Sequence, residues 1–356
     1  MSAATLTPSQ LASQHRSDSL EAEIYRDPSG FRMLSGDRPT GALHVGHYFG
    51  SLQNRVLLQD AGVDLLVLIA DYQAMTDRVV QPDLPDIVAG LMADYLAIGI
   101  DPDRAVIFAH SQVAALNQLL LPFLSLVSVA EIARNPTVKD EVAAAGLATV
   151  SGLMFTYPVH QAADILFCHA NLVPVGMDQL PHLEITRTIA RRFNERYSPG
   201  APYFAEPAGL LSSAPLLLGL DGQKMSKSRH NTIPLRATAD ETARLLRRAK
   251  TDSERSVAYD PARRPEVASL LLLTALCQGT TPEEVAAQIG DGGAARLKAV
   301  AIEAVNERFA LVRARRAELA ADPGYLRAVL AAGNERAAVV ADETVRAVRE
   351  LMHQRY

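Results

Sequence analysis

The chain is 356 residues long, with no tryptophan and only two cysteines. Cys168 and Cys277 stand far apart, with no CxxC and no Cys/His cluster around either. That spacing argues against a disulfide framework, a structural zinc site or an iron–sulfur cluster. A reducing, cytoplasmic compartment is the expectation. No apolar run approaches the roughly 18 residues that a membrane span needs, so no membrane partner is expected. Charge of one sign is not in large excess either, since 35 Lys and Arg stand against 40 Asp and Glu, a formal −5. With 48% hydrophobic and 21% charged residues, the composition is that of a globular protein, neither disordered nor fibrous. The surplus acid lies in residues 1–230, whereas residues 231–356 are slightly basic and repel a polyanion less. The first 29 residues lack both the apolar stretch of a signal peptide and the Arg-rich, acid-poor character of a transit sequence. They are expected to form a flexible extension.

What is present is an alternation of short apolar runs with helical stretches, the pattern of parallel βαβ units. Phe31 to Leu34, Leu65 to Ala70, Val106 to Ala109 and Leu172 to Val175 each end on a small or polar residue. In an open parallel sheet ligands sit beyond those carboxyl ends. A long insert, about 112–171, separates the last two runs, with helical segments predicted at Leu116 to Ala133 and Glu141 to Thr149. After residue 230 apolar positions recur at helical spacing, as in Leu297, Val300, Ala301, Ala304 and Val305. Tyr325 to Leu330 and Ala337 to Met352 read the same way. The expected fold class is α/β: a doubly wound, parallel Rossmann-type sheet over residues 30–229 with its helical insert, then an all-α domain over 230–356.

Two loops carry chemistry. Gly36-Asp37-Arg38-Pro39-Thr40-Gly41 runs through Ala42 and Leu43 into His44-Val45-Gly46-His47, after the first strand and before a helical run. A glycine-rich turn opening a helix presents backbone N–H groups and the positive end of the helix dipole to a phosphate. Two histidines at i and i+3 can face the same side, with Gly46 between them allowing close approach. The second loop, Asp221 to Ser228, holds two lysines and two hydroxyls after an apolar run. Such a loop can close over a triphosphate and neutralise departing pyrophosphate.

Taken in order, HVGH and KMSKS resemble the signature pair of class I aminoacyl-tRNA synthetases. Thr156 to Leu166 (TYPVHQAADIL), Val173 to Gln179 (VPVGMDQ), His182-Leu183-Glu184, Ala190 to Asn194 (ARRFN) and Thr251 to Glu254 (TDSE) are similar to the tryptophanyl members of that class. The likeness runs from about residue 31 to 355. Gln73, Gln161 and Met177 depart from the common bacterial pattern, which has histidine, methionine and an acidic residue there. They resemble a divergent bacterial subtype and bear on inhibitor sensitivity.

The resemblance implies activation of L-tryptophan by ATP with Mg²⁺, then transfer of the tryptophanyl group to the 2′-hydroxyl of the terminal adenosine of tRNA(Trp). It implies His44, His47, Lys224 and Lys227 as the catalytic groups. ATP would meet Arg38, Pro39, Thr40, Gly46, His47, Gly176, Met177, Asp178, Leu216, Lys224, Met225, Ser226, Lys227 and Ser228. Asp164, Tyr157, Gln161, Gln179 and Gln73 would form the tryptophan pocket, with Asp164 an unsatisfied buried acceptor until the indole N–H arrives. No protein-bound metal is expected. Exposed arginines such as Arg313, Arg315 and Arg316 would face the anticodon, and the family implies a homodimer. A tyrosyl-tRNA synthetase, an auxiliary or regulatory paralogue and a small-molecule adenylyltransferase are the competing readings. The QAAD and TDSE runs argue against the first, the intact motifs against the second, and the helical domain against the third.

Overall fold

A computed structural model describes residues 8–76, 82–135, 150–176, 179–211 and 217–356, with the backbone alone at 8–13 and 228. Five strands form one sheet: β1 (Arg32–Asp37), β2 (Asp64–Ile69), β3 (Val106–Ala109), β4 (Leu172–Val175) and β5 (Ala208–Leu211). Their order is β3-β2-β1-β4-β5, and every pairing is parallel. Chain order reverses between β1 and β4, which opens a crevice at their carboxyl ends. β2 shows why the sheet is buried on both sides. Leu65, Val67 and Ile69 enter one apolar cluster, while Leu66, Leu68 and Ala70 enter the other. β5 is the strand that the sequence pattern does not reveal, because four residues, two of them Ala and Gly, carry almost no periodic signal.

Both sheet edges are covered by segments from the chain's ends. Where a flexible extension is expected, the structure has a helix, Pro8–Arg26, with Ile24 fully buried. Its Ser17 hydroxyl accepts from the Leu211 amide of β5 at 2.8 Å, so it supplies a partner to an edge that would otherwise be open. On the opposite edge the helix Pro323–Leu351 returns to β3, where Asn334 accepts from the Ala109 amide at 3.0 Å. A Cβ at Gly333 would stand 1.8 Å from the Ile107 carbonyl oxygen, so only glycine permits that approach.

The predicted apolar stripe of the helix Gly293–Ala320 is buried at Leu297, Val300, Ala301, Ala304 and Val305. Tyr325 to Leu330 and Ala337 to Met352 fall on one long helix, Met352 being the residue that follows its end at Leu351. The C-terminal helices share their core with the sheet: Leu246, Leu271, Leu297 and Phe309 join the cluster of Leu43, Val45 and Leu52. In the insert, Leu116 to Ala133 is divided among short helices, Ala114–Gln118, Leu120–Leu124 and Val129–Arg134. The stretch Glu141 to Thr149 lies outside the described residues. No helix among the described residues is long and apolar enough to cross a membrane.

Candidate active site

The first motif begins where β1 ends. A Cβ at Gly36 would meet the Leu68 carbonyl oxygen at 2.7 Å, so glycine lets β1 lie against β2 at this point. Asp37, the last β1 residue, accepts from Arg55 at 2.7 Å and from the Tyr95 hydroxyl at 2.7 Å. Burial alone would raise the Asp37 carboxyl, but Arg55 and the hydrogen bonds from Arg55 and Tyr95 outweigh it and hold the group at about 2. Arg55 is itself 3% exposed, so this is an ion pair inside the protein.

His44 precedes the helical turn Val45–His47, which continues through a π turn, Tyr48–Leu52, into the helix Gln53–Ala61. The two imidazoles stack with centroids 3.6 Å apart. The His44 amide donates to His47 Nδ1 at 3.3 Å, which leaves the His47 proton on Nε2. Burial is the main reason that His44 is lowered to about 3, helped by His47 and Lys227. Burial also lowers His47, to about 4, against an upward pull from Asp37. Both rings are therefore neutral at neutral pH and offer N–H groups rather than charge.

The second motif lies directly on the first. Lys227 Nζ donates to the Gly41 carbonyl at 2.8 Å, and a Cβ on Gly46 would come within 3.0 Å of the Met225 sulfur. Gly46 thus makes room for Met225. Behind this contact the Val45 amide bonds to the Ile233 carbonyl at 3.0 Å and the Leu235 amide to the Leu43 carbonyl at 2.9 Å. The loop is shaped by buried Asn231, whose amide donates to Asp221 and to the Lys224 carbonyl and accepts from the Ser226 amide at 2.8 Å. Lys224 is exposed, Lys227 half-buried, and the Ser226 backbone extended.

A cavity of about 380 Å³ occupies the crevice at the strand ends. Gly36, Asp37 and Arg38 line it together with Gln73, Tyr157, Gln161, Asp164, Val175 and Gln179. All five residues predicted for the amino-acid pocket therefore face one space. Asp164, on the helix Gly152–Leu166, is 2% exposed yet already partnered: His110 Nε2 lies 2.6 Å from Oδ1, and Gln73 donates to Oδ2 at 3.2 Å. The expectation of an unsatisfied acceptor is corrected here, because β2 and β3 end in turns that bring two donors to it. Tyr157 bonds His182 at 2.9 Å. A larger recess, about 1010 Å³, lies between the N-terminal helix and the helix Leu180–Tyr197 and contains neither motif.

Pro39 is buried and Thr40 half-buried in the turn after Arg38, and Gly176 follows β4. Met177, Asp178 and Leu216 lie outside the described residues, as does the Ser228 side chain. The sequence did not single out Asp37, Arg55, His110 or Asn231, which meet their partners only through the fold. Of the three arginines expected to be exposed, one is. Arg316 is paired with Asp94, itself 1% exposed, and Arg313 is engaged by Asn306 and Thr242, so only Arg315 is free of such packing and exposed.

A parallel sheet with a crevice at its switch point, a glycine-rich turn opening a helix and a lysine-bearing loop laid over it define a nucleotide-binding enzyme class. Residues 27–310 match the family described as tRNA synthetases class I (W and Y), and the chain belongs to that family. Proteins named Tryptophan--tRNA ligase from Streptococcus agalactiae and Streptococcus pneumoniae are each 38% identical to it over 336 residues, which cover 91% of this chain and 98% of theirs. A tryptophanyl-tRNA synthetase from Campylobacter jejuni, solved with ADP and tryptophan, superposes with a TM-score of 0.79 at 29% identity, over 90% of this chain and 99% of that one. A tyrosyl-tRNA synthetase from Archaeoglobus fulgidus shares the fold with a TM-score of 0.64 at 22% identity, over 84% of this chain and 94% of that one.

Proposed function

We propose that the chain is a tryptophan–tRNA ligase, which forms tryptophanyl-adenylate from L-tryptophan and ATP and passes the tryptophanyl group to the 2′-hydroxyl of the terminal adenosine of tRNA(Trp). The observation that carries this reading is the single cavity lined both by the first motif's Gly36, Asp37 and Arg38 and by Tyr157, Gln161 and Asp164. A nucleotide at the glycine-rich turn and an amino acid held by Asp164 then lie side by side.

The tryptophan carboxylate attacks the α-phosphorus and pyrophosphate leaves. Little covalent protein chemistry is required, since positioning and charge stabilisation carry phosphoryl and nucleotidyl transfer. His44 and His47, neutral and packed on each other, donate hydrogen bonds to phosphate oxygens without themselves having to lose a proton. Lys227 and Lys224 engage the β- and γ-phosphates and stabilise most strongly as the scissile bond breaks. Mg²⁺ supplies charge neutralisation on the triphosphate. The described donors at this end are imidazoles, ammonium groups and hydroxyls, and Asp37 is committed to Arg55. That set fits phosphate oxygens and not a divalent cation, so the ion is carried by the nucleotide.

Asp164 accepts from the indole N–H through lone pairs that His110 and Gln73 leave open, while Tyr157, Gln161 and Gln179 border the ring and the amino-acid head. Gly176, Met177, Asp178 and Leu216 hold the adenosine. The slightly basic C-terminal helices, with Arg315 exposed, meet the tRNA. Leu121 and Val129 on the insert are 76% and 71% exposed, an apolar surface suited to a second copy of the chain in a homodimer. The reaction is placed in the cytoplasm. Charging of tRNA(Trp) and tRNA(Tyr) transcripts with each amino acid tests the reading. Esterification of tRNA(Trp) with tryptophan alone is expected, and charging of tRNA(Tyr) with tyrosine would overturn it.

A further inference from the structure

Behind the cavity wall, Asp164 is the centre of a buried network. His110, 0% exposed, lies in the turn His110–Gln112 that follows β3, and Gln73 lies in the turn Tyr72–Met75 that follows β2. One carboxylate oxygen of Asp71 joins the two turns, accepting from the Tyr72 amide at 3.0 Å and the Ser111 amide at 3.1 Å. Asn117 adds a second tie. It donates to the His110 carbonyl at 3.3 Å and to the Val113 carbonyl at 3.1 Å, and accepts from His160 Nε2 at 2.8 Å. The His110 and His160 rings pack at 4.7 Å between centroids. The donor atoms of His110, His160 and Asp164 lie within 4.8 Å of one another, a spacing a cation can also use. Here the two Nε2 atoms are already committed, one to Asp164 and one to Asn117. Each Nδ1 is buried without a hydrogen-bond partner.

An aspartate carboxylate turns readily about its last torsion, because that torsion has broad wells. Asp164 is prevented from doing so by one donor on each oxygen, His110 on Oδ1 and Gln73 on Oδ2. Asp164 and Gln73 line the cavity whereas His110 does not, so His110 can affect a ligand only through the carboxylate it holds. We propose that His110 is a positioning residue for amino-acid selection, which fixes Asp164 so that its remaining lone pairs meet an indole N–H. This rests on the reading of Asp164 as the indole acceptor. His110 thereby favours only substrates that carry that N–H, because an analogue without it gains nothing from a well-aimed acceptor.

The test compares kcat/KM in pyrophosphate exchange for tryptophan and for L-3-benzothienylalanine, in which sulfur replaces the indole N–H. His110→Leu is expected to lower the tryptophan value by about 10- to 100-fold, mainly through KM, and the analogue value by less than about 3-fold. His110→Gln, which keeps a side-chain N–H donor, is expected to restore most of the loss and to remain measurable if the leucine variant folds poorly. In an Asp164→Ala background, His110→Leu is expected to change the ratio no further, since the two act as one unit. Equal losses for both substrates, with Asp164→Ala still abolishing the preference, would leave His110 as packing alone and overturn the proposal. If Asp164→Ala, which removes the acceptor, leaves the preference intact, the reading of Asp164 itself fails, and the positioning role with it.

Discussion

Lys227 donates from Nζ to the carbonyl of Gly41 across 186 positions of sequence, and this 2.8 Å contact closes the second motif onto the first. The lysine is thus held against the glycine-rich turn by a backbone acceptor that a phosphate oxygen can replace.

Lys227→Ala is expected to reduce the rate of tryptophan activation by about 10²- to 10³-fold, as for other lost transition-state donors. Tryptophan affinity is expected to change little, because the contact strengthens only as pyrophosphate departs. The protein has no tryptophan of its own, so fluorescence excited at the indole band comes from the ligand, and its change on titration with protein reports binding. Equal losses in affinity and rate would contradict the role.

Asn231 is the internal brace of the same loop. Gly219 is glycine because a Cβ there would lie 2.2 Å from the Asn231 amide nitrogen. Asn231→Ala removes contacts to Asp221, Lys224 and Ser226. At roughly 0.5–1.5 kcal/mol for each hydrogen bond, a loss of about 10-fold or more in kcat/KM for ATP is expected. Steady-state kinetics with unchanged ATP dependence would show that the loop holds its shape without it.

His44 and His47 make the fold sensitive to acid. Their native values, about 3 and about 4, lie below the ordinary histidine value of 6.5. Between about pH 6.5 and pH 4 the unfolded chain therefore binds more protons than the native one, and stability falls as pH falls. His160 and His169, also lowered chiefly by burial, act with the same sign. Thermal melts of a His44→Gln/His47→Asn variant are expected to decline less steeply over that window than those of the unaltered chain. Parallel slopes would contradict the assignment.

How much of this is visible in the sequence depends on distance along the chain. HVGH, KMSKS and the QAAD run are contiguous, and their local pattern suffices to mark the glycine-rich turn, the lysine loop and the helix that carries Asp164. His110 and Asp164 are 54 residues apart and Arg316 and Asp94 are 222 apart, so nothing local marks them as pairs. The N-terminal helix has a weak apolar pattern, and its docking depends on Ser17 meeting a strand too short to predict.

Asp37 and Arg55 give a stability test. Arg55→Leu strands a carboxylate beside Tyr95, and removing one member of a buried pair costs about 3–5 kcal/mol. Asp37→Leu/Arg55→Leu is expected to recover most of that loss in urea unfolding, since the second change removes the stranded charge. A double variant as unstable as the sum of the two singles would show that the pair contributes no coupling.

Pyrophosphate exchange into ATP, measured with each of the 20 amino acids in turn and without tRNA, tests the central claim most directly. Exchange that depends on tryptophan alone is expected. Exchange with tyrosine, or none with any amino acid, would contradict tryptophan activation at this site.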